Sequence, residues 1–532
     1  MSRFLLCSSI FLVLAARAEL PSAWAGKPSE GKLELLVTDE ETGQPIACRV
    51  HLQNSAGVAK KVLKMPFWND HFVCPGNVLL KLPKGQYTFV IERGPEYVDC
   101  AGYFTIEGFA SDSKAVTLKR AANMAAEGWW SGDLRLYRSA KDIELLMQAE
   151  DLHVAPLVTW SNQSSEWSAG QFPTKKIVRF DTDRFYDLTA GEDQRPAAGL
   201  LYLRLERPLD FASATAGPPT PLRLIEAAHA QPQAWVDLAE PLSPDLPLYL
   251  ALGRIDTFEL APDEFQRAVG SRGAAGLGPA SELSPANPTT PSMNRVKKPL
   301  GKSKQNAHEI ARATQEVYFH LLNCGFRIPP SAGSGSGVAP NPVGYDRMYV
   351  YLDRGALDYD EWWDGLRRGR VTVTNGPLIR PLANRRPPGH IFQLDRGELE
   401  IDMAMNMAIR EKVSSVQVIH NGRVALNVRL EDWAKNGHFP PLHVDSSGWF
   451  LVRVATDVAE TYRFAASGPW YVEAAGGKPF ISRKSVQFFL DMLDARATEA
   501  EHAAGNQREL ISATYAQARK FWEDLLAQAT AE

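Results

Sequence analysis

Apolar positions follow three rhythms along this chain. From residue 30 to 122 they alternate with polar ones. Residues 32–38 read as a strand, Asp39 to Gly43 as a turn and 45–52 as the next strand. Residues 79–82, Pro83-Lys84-Gly85 and 87–92 read as strand, turn and strand. From 123 to 385, short apolar runs at 154–158, 200–205, 248–252, 348–352 and 371–373 predict strands. Between them lies helical spacing. Ile143, Leu146, Met147 and Glu150 follow a Ser139/Asp142 capping signal. Ile310, Thr314, Val317 and Leu321 follow an Asn306/Glu309 capping box and end at Gly325. Residues 360–368 form another short helix, ended by Gly369. Strands alternating with helices predict parallel pairing. Residues 386–475 return to alternation at 399–403, 413–420, 449–455 and 470–473, with Asn421-Gly422 as a hairpin turn. Residues 476–532 predict two helices. One carries a stripe of Val486, Phe489, Leu490 and Leu493. The other carries Leu510, Ile511, Tyr515, Phe521, Trp522 and Leu525, and Gly505-Asn506 separates them.

The fold class is therefore α/β plus all-β: a β-sandwich at 30–122, an α/β domain at 123–385, a second β-sandwich at 386–475 and C-terminal helices. The tail's aromatic stripes predict a packing surface, for the body of the protein or for a partner. Within the α/β domain, 262–304 is rich in Gly, Pro, Ser and Ala and reads as a flexible insertion. Its Arg295, Lys297, Lys298, Lys302 and Lys304 lack interleaved aromatics, so a solvated cluster is expected rather than a nucleic-acid tail.

Length and composition add the compartment. A chain of 532 residues, 45% hydrophobic and 23% charged, predicts two to four domains with sizeable cores. A net charge of −4 excludes general attraction to nucleic acid or anionic membrane. Arg3, the apolar run from Phe4 to Ala16, and the A-x-A sites at Ala16–Ala18 and Ala23–Ala25 predict a signal peptide at 1–25. That run is shorter than the ~20 residues a membrane span needs. The expectation is export, to the periplasm or the outside, with no transmembrane segment in the mature chain. Cys7 leaves with the signal. Cys48, Cys74, Cys100 and Cys324 remain, and the three in the first domain allow one disulfide whose pairing spacing alone does not fix. No C-x-x-C occurs, which argues against a thiolate zinc site.

The stretch 127–159 carries the chemistry. Alternation puts Leu134 and Leu136 on one side, and Asp133, Arg135 and Tyr137 on the other. W-x-G-D-L-x-x-x-R at 130–138, followed by A-E-D-L-H-V at 149–154, resembles the opening of the PHP-type metallohydrolases, in particular the CehA/McbA-like branch. Segments 330–337, 344–350 and 370–377 follow that family's order, so the resemblance runs from Trp129 to Pro377. It implies a distorted (β/α) barrel, with chemistry where strands end, and metal-dependent hydrolysis of esters or phosphoesters. The family's turn is expected to read G-D-L-H-x-H, its two histidines binding metal; this chain has Arg135 and Tyr137 there. The closing motif G-S-D-x-H reads G-S-G-S-G here, which leaves Gly335 and Gly337 at the two ligand positions. A hydrolytic metal wants at least three convergent N/O ligands, and Arg135 would bring a fixed positive charge to its place. In the first domain, V-T-D-E-E-T-G-Q-P-I and L-P-K-G-Q-Y-T-F resemble carboxypeptidase-regulatory-like or transthyretin-like sandwiches, which implies a structural spacer.

What remains defines the candidates. Asp133, Glu192 and Asp193 are candidates for acid/base work, the latter two in a segment that resembles the family's E-D-x-R. Asp133 could equally pair with Arg135 or Arg138. Asp133, Glu150 and His153 are the metal set if a site is retained; otherwise Glu150 and Asp151 are solvated or paired and His153 is a hydrogen-bonded structural histidine. Arg135, Tyr137, Trp160, Ser334, Ser336, Tyr345, Arg347 and Asn375 are the candidate binding residues. Trp129, Trp130, Trp160 and Trp167 would stack on a ligand or pack a core. The loop 331–337 would cradle phosphate through backbone N–H groups or close tightly over the barrel mouth. No G-x-S-x-G elbow or Cys–His signature appears. The functional expectation is a degenerate family member that binds a small molecule or serves assembly without a cofactor. One alternative is an active hydrolase, with Zn, Mn or Fe on rearranged ligands from Asp133, Glu150, His153, Glu192 and Asp193. Another is a structural envelope component that associates through its sandwiches or tail helices.

Overall fold

The computed structural model describes residues 29–162, 172–195, 198–211, 220–265, 307–353, 355–436, 438–503 and 507–532. The expected signal peptide, most of the expected insertion, Asn306, Trp167 and Gly505-Asn506 lie outside them. The protein is β-rich, with several sheets, and ends in helices.

The first unit comprises β1 (Glu30–Asp39), β2 (Cys48–Asn54), β3 (Phe67–Trp68), β4 (His71–Cys74), β5 (Asn77–Pro83), β6 (Gly85–Glu92), β7 (Cys100–Ile106) and β8 (Ser111–Leu118). They form two sheets, ordered β5-β1-β8 and β3-β4-β2-β6-β7. Leu33, Leu35 and Val37 of β1 face Val50, Phe72, Phe89 and Ile91 across one core, because period-two alternation turns every second residue inward. The faces of β2 and β4 away from that core carry Arg49, His51, His71 and Val73, and they lie against the next unit.

That unit runs β9 (Trp129–Gly132), α1 (Ile143–Glu150), β10 (Val154–Ser161), β11 (Ile177–Phe180), β12 (Arg184–Asp193), β13 (Leu200–Leu203), α2 (Thr220–His229), β14 (Trp235–Leu238), α3 (Leu246–Leu252), β15 (Thr257–Ala261), α4 (Ala307–Asn323) and β16 (Pro330–Ala332). Strands β9, β10 and β12 pair in parallel, as do β14, β15 and β16; β13 is antiparallel to both of its neighbours. The two ends of this sheet meet. Leu134 N donates to Ala332 O at 3.1 Å, Gly335 N to Arg135 O at 3.0 Å and Tyr137 N to Ser336 O at 2.8 Å, while on its other side Val158 N donates to Leu136 O at 2.8 Å. The chain after β9 thus joins β10 to the chain after β16 and completes a ring of seven strands. Leu136 packs outward with α1, and Arg135 points inward.

Three local expectations are corrected. The run 248–252 is helix α3, not a strand. Pro247 sits in its first turn, and so short an all-apolar run has no period to separate a buried helix from a buried strand. Ser139 and Asp142 form a turn, Asp142 N donating to Ser139 O at 3.1 Å, and no side chain caps α1. Strands β17 (Arg347–Tyr351) and β18 (Val371–Thr374), with α5 (Tyr359–Arg367) between them, are antiparallel, because β17 pairs with the outer edge of β9.

Through β18 the sheet continues into the last β-rich part, so residue 385 is not a clean border. That part comprises β19 (Leu378–Ala383), β20 (Ile391–Leu394), β21 (Leu399–Ile401), β22 (Met403–Ala408), β23 (Val413–His420), β24 (Arg423–Val428), α6 (Leu430–Asn436), β25 (Leu442–Val444), β26 (Gly448–Thr456), β27 (Phe464–Ser467) and β28 (Trp470–Ala474). Asn421 and Gly422 both have positive φ, as the β23–β24 hairpin turn requires. Helices α7 (Arg483–Ala503) and α8 (Arg508–Ala527) lie on α3 and α4. The Trp522 indole donates to Pro247 O at 3.0 Å, and Arg496 and Tyr515 reach Asp245 at 2.7 and 3.1 Å. The aromatic stripes therefore cover the protein's own body. No helix of the described residues is long and apolar enough to cross a membrane.

Candidate functional site

The inside of the strand ring is filled by one guanidinium. Arg135 is fully buried, and its neighbours come from three strands, β12, β14 and β15, and from Tyr137 of its own segment. Its Nη2 donates to Glu192 Oε1 (2.9 Å) at the end of β12, and its Nη1 to Ala239 O (3.1 Å) after β14. Nη1 also lies 3.5 Å from Glu259 Oε1 of β15 and 3.3 Å from Asp263 Oδ1 just beyond it. Nε donates to the Tyr137 hydroxyl at 3.1 Å. Burial alone would favour a neutral Arg135. Asp263, Tyr137, Glu259 and Glu192 reverse that and hold it charged.

One positive charge does not balance this many acids. Burial pushes Glu259 well above the carboxylate range, and neither of its oxygens has a hydrogen-bond partner among the described residues. One layer deeper, burial pushes Asp237 of β14 up to about 6, although the Ser331 hydroxyl donates to it at 2.5 Å. The interior is thus a guanidinium held by carboxylates, of which burial keeps some protonated. Glu259, Asp237 and Asp263 were missed by the sequence reading. Their signal lay in W-V-D-L and T-F-E-L-A, where an acid replaces an apolar residue on one face of a strand. Asp263 fell inside the stretch set aside as an insertion.

Asp133 does not pair with the guanidinium of Arg135 or Arg138. Its carboxylate accepts from Ser334 Oγ (2.5 Å), Ser334 N (3.0 Å), Gly344 N (2.8 Å) and Arg135 N (3.1 Å), and burial pushes it up to about 6 against those bonds. It pins the glycine-serine loop to the ring. The loop's amides are used internally: Gly333 N on Ala261 O, Gly335 N on Arg135 O and Ser336 N on Ser334 Oγ. It closes the ring and leaves no row of amides for a phosphate. Ser336 Oγ accepts from Arg138 Nε at 3.1 Å, and the Arg138 guanidinium stacks on Trp68 of the first sandwich.

The other candidates scatter. Glu150 pairs with Arg49 across the sandwich interface and lies 3.9 Å from Arg347. His153 hydrogen-bonds Ser131 at 2.7 Å beneath the edge of Trp130, and burial pushes it down to about 3. Asp151 is gripped by Arg93, Arg120 and Arg184; burial alone would raise it, but these cations hold it well below the carboxylate range. Asp133, Glu150 and His153 therefore do not converge on one point. Asp193 is taken by Arg195, away from Glu192. The Trp160 indole donates to Thr189 O and its ring lies in the wall beside Phe172 and Phe211. Trp129 and Trp130 are likewise core residues. Arg347 Nε donates to Gly344 O, and Asn375 clamps Tyr462 O and Phe464 N of the next strand. Tyr345 lies under the Arg463 guanidinium. A cleft of about 330 Å³ beside α5, lined by Asp353, Glu361, Asp364, Arg368 and Arg370, has none of these residues in its wall.

Among the described residues, His51, Asp70 and His71 of the first sandwich gather closely enough to hold a cation. They are also complete as a hydrogen-bonded bridge: each histidine Nδ1 faces one Asp70 oxygen, at 3.2 and 3.0 Å, and Arg49 Nε donates to His51 Nε2 at 3.2 Å.

The chain matches no family model and no curated protein. Solved structures similar to parts of it include a minor pilin of the Gram-positive pathogen Streptococcus agalactiae, at 19% identity over 18% of this chain and 47% of that one (TM-score 0.16). The Bacillus anthracis TIE protein is similar at 20% identity over 21% of this chain and 20% of that one (TM-score 0.14). A pilus-presented adhesin is similar at 17% identity over 18% and 28% (TM-score 0.13). The chain spans less than half the length of each.

Proposed function

We propose that this protein is an exported relative of the PHP-type metallohydrolases, of the CehA/McbA-like branch, in which Arg135 has taken the place of the catalytic cation and the barrel serves assembly rather than hydrolysis. The reading rests on the cage around Arg135: a guanidinium inside 3.5 Å of Glu192, Glu259, Asp263, Ala239 O and Tyr137 fills the point at which a metal would sit. The seven-strand ring, with its acids at strand ends, supports the family resemblance. The segment from Arg3 to Ala25 supports export.

The residues present do not fit the family's metal. At Gly335 a side chain would overlap Asp263, and at Gly337 it would overlap the Tyr137 carbonyl; both glycines have positive φ. The family's Asp and His cannot be accommodated there without rebuilding the loop. The filled interior favours assembly over small-molecule binding, and the first sandwich, bolted to the barrel by Arg49, Arg93 and Arg120, acts as part of one scaffold.

The test is the Zn, Mn and Fe content of full-length protein purified without chelator, read together with aryl ester and aryl phosphate cleavage. The expected result is no metal dependent on Asp133 or Glu192, and no chelator-sensitive turnover. One equivalent of metal lost in both Asp133→Ala and Glu192→Ala, with turnover, would overturn the reading. Metal lost only in His71→Ala would belong to the first sandwich.

A further inference from the structure

Cys48 and Cys74 face each other directly in the antiparallel β2–β4 ladder, and their Sγ atoms are 3.7 Å apart. Both are fully buried in the core of the first sandwich. This is the sulfur–sulfur contact among the described residues. Cys100 stands on β7 opposite Ile91, and Cys324 follows α4 in the ring domain.

Their position in the chain is particular. Cys48 opens β2, just after the chain has crossed from the sheet of β1. Cys74 closes β4, just before Pro75-Gly76 returns it to that sheet at β5. The crossovers are already tied, Val37 N donating to Gly76 O and Ile46 N to Val37 O. A link between these sulfurs would fix both crossovers at one corner. It would also brace the β3–β4 turn, where the Trp68 indole donates to Ala339 O and the Asn69 amide to Pro340 O of the ring domain.

We infer that Cys48 and Cys74 form the disulfide of this protein in an oxidising medium. The inference goes beyond the assembly reading and does not depend on it. Opposed residues of an antiparallel pair meet the separation a disulfide needs, and closing 3.7 Å to a bond of about 2.05 Å takes side-chain rotation rather than strand movement. The exchange can start at either sulfur, Cys74 for instance. Its thiolate attacks a disulfide oxidant, RSSR, forming a mixed disulfide and releasing RS⁻. The Cys48 thiolate then attacks the Cys74 sulfur and releases the second RS⁻. The two thiol protons leave with these, giving one protein disulfide and two RSH. Because both sulfurs are buried when folded, the exchange belongs to folding.

The experiment refolds the reduced full-length chain in a glutathione and glutathione-disulfide buffer, alkylates it under denaturing conditions without reductant, and maps its tryptic peptides. Peptides 33–49 and 65–81 are expected as one cross-linked species, nearly absent as alkylated monomers and recovered as monomers after reduction. The Cys100→Ser/Cys324→Ser chain should give the same cross-link. Recovery of Cys48 and Cys74 as alkylated thiols, or bridged to Cys100 or Cys324, would overturn the inference.

Discussion

Nη1 of Arg135 lies 3.5 Å from Oε1 of Glu259, and neither side chain touches solvent. The pair sits inside the strand ring together with Glu192, Asp263 and Asp237. Its cost is tolerable only because several acids share the cation and burial keeps Glu259 protonated.

Removing the cation should therefore be severe. Arg135→Ala removes the cation that Glu192, Glu259 and Asp263 share, and a loss of about 3–5 kcal/mol is expected for a broken buried pair. Arg135→Lys keeps the charge but not the fork that reaches Glu192, Ala239 O and Tyr137 together, so it should recover only part. Urea midpoints of the two variants against wild type check this. Equal midpoints for Arg135→Ala and wild type would refute the cage.

Asp237 gives a pH signature of definite sign. Its folded value, about 6, lies above the unfolded 3.8, so between the two the native state binds more protons. That contribution is present below about pH 4 and is lost as pH rises through 6. The 2.2-unit gap corresponds to about 3 kcal/mol at most. His153 runs the other way. Its folded value of about 3 lies below 6.5, so its stability is present above 6.5 and is lost as pH falls towards 3. The two slopes oppose each other in wild type. Asp237→Asn removes one of them, so its stability relative to wild type should improve steadily from pH 4 to 7. Parallel stability curves over that range would show that Asp237 does not titrate as described.

The glycine-serine loop predicts that histidine is not tolerated in it. Placing histidine at 337 drives its side chain into the Tyr137 carbonyl, at a φ of +105° that favours glycine. Gly337→Ala alone should cost more than about 2 kcal/mol by overpacking and backbone strain. Arg135→His/Tyr137→His/Gly337→His should give poorly folded protein rather than a metalloprotein. Circular dichroism with zinc titration distinguishes the two outcomes.

Strands β1 and β5 were legible because each has one wet face, which leaves period two in the sequence; β4, buried on both faces between its own core and the ring domain, was not. The ring strands β14 and β15 were not, because they are buried on both faces and only four or five residues long. Those two strands carry Asp237 and Glu259, so half of the acid layer was lost with them. Arg135 could be placed inside by alternation from Leu134 and Leu136, but its acidic partners lie 57 to 128 residues away and leave no local trace. The run 248–252 failed for the opposite reason: all of its positions are apolar, and tertiary packing against α8 decided for helix.

Arg49 makes the first sandwich inseparable from the ring. It is buried between Glu92 of its own unit and Glu150 of α1; burial alone would lower its pKa, and the two carboxylates raise it instead. Arg93 adds bonds to Ala47 O and Gln148 O, and Arg120 spans Glu96 and Asp151, so the interface is a row of arginines rather than a flexible tether. The wild-type protein should then melt its sandwich and ring in one transition. Arg49→Ala strands two buried acids on opposite sides of the seam, again a loss of about 3–5 kcal/mol, and should split the melt into two steps. Glu150→Gln should be milder, since burial already raises that carboxyl and an amide still accepts from Arg49. Differential scanning calorimetry of the three proteins reads this directly. A wild-type scan already in two steps, or an unsplit Arg49→Ala scan, would mean that the seam is held by something other than Arg49.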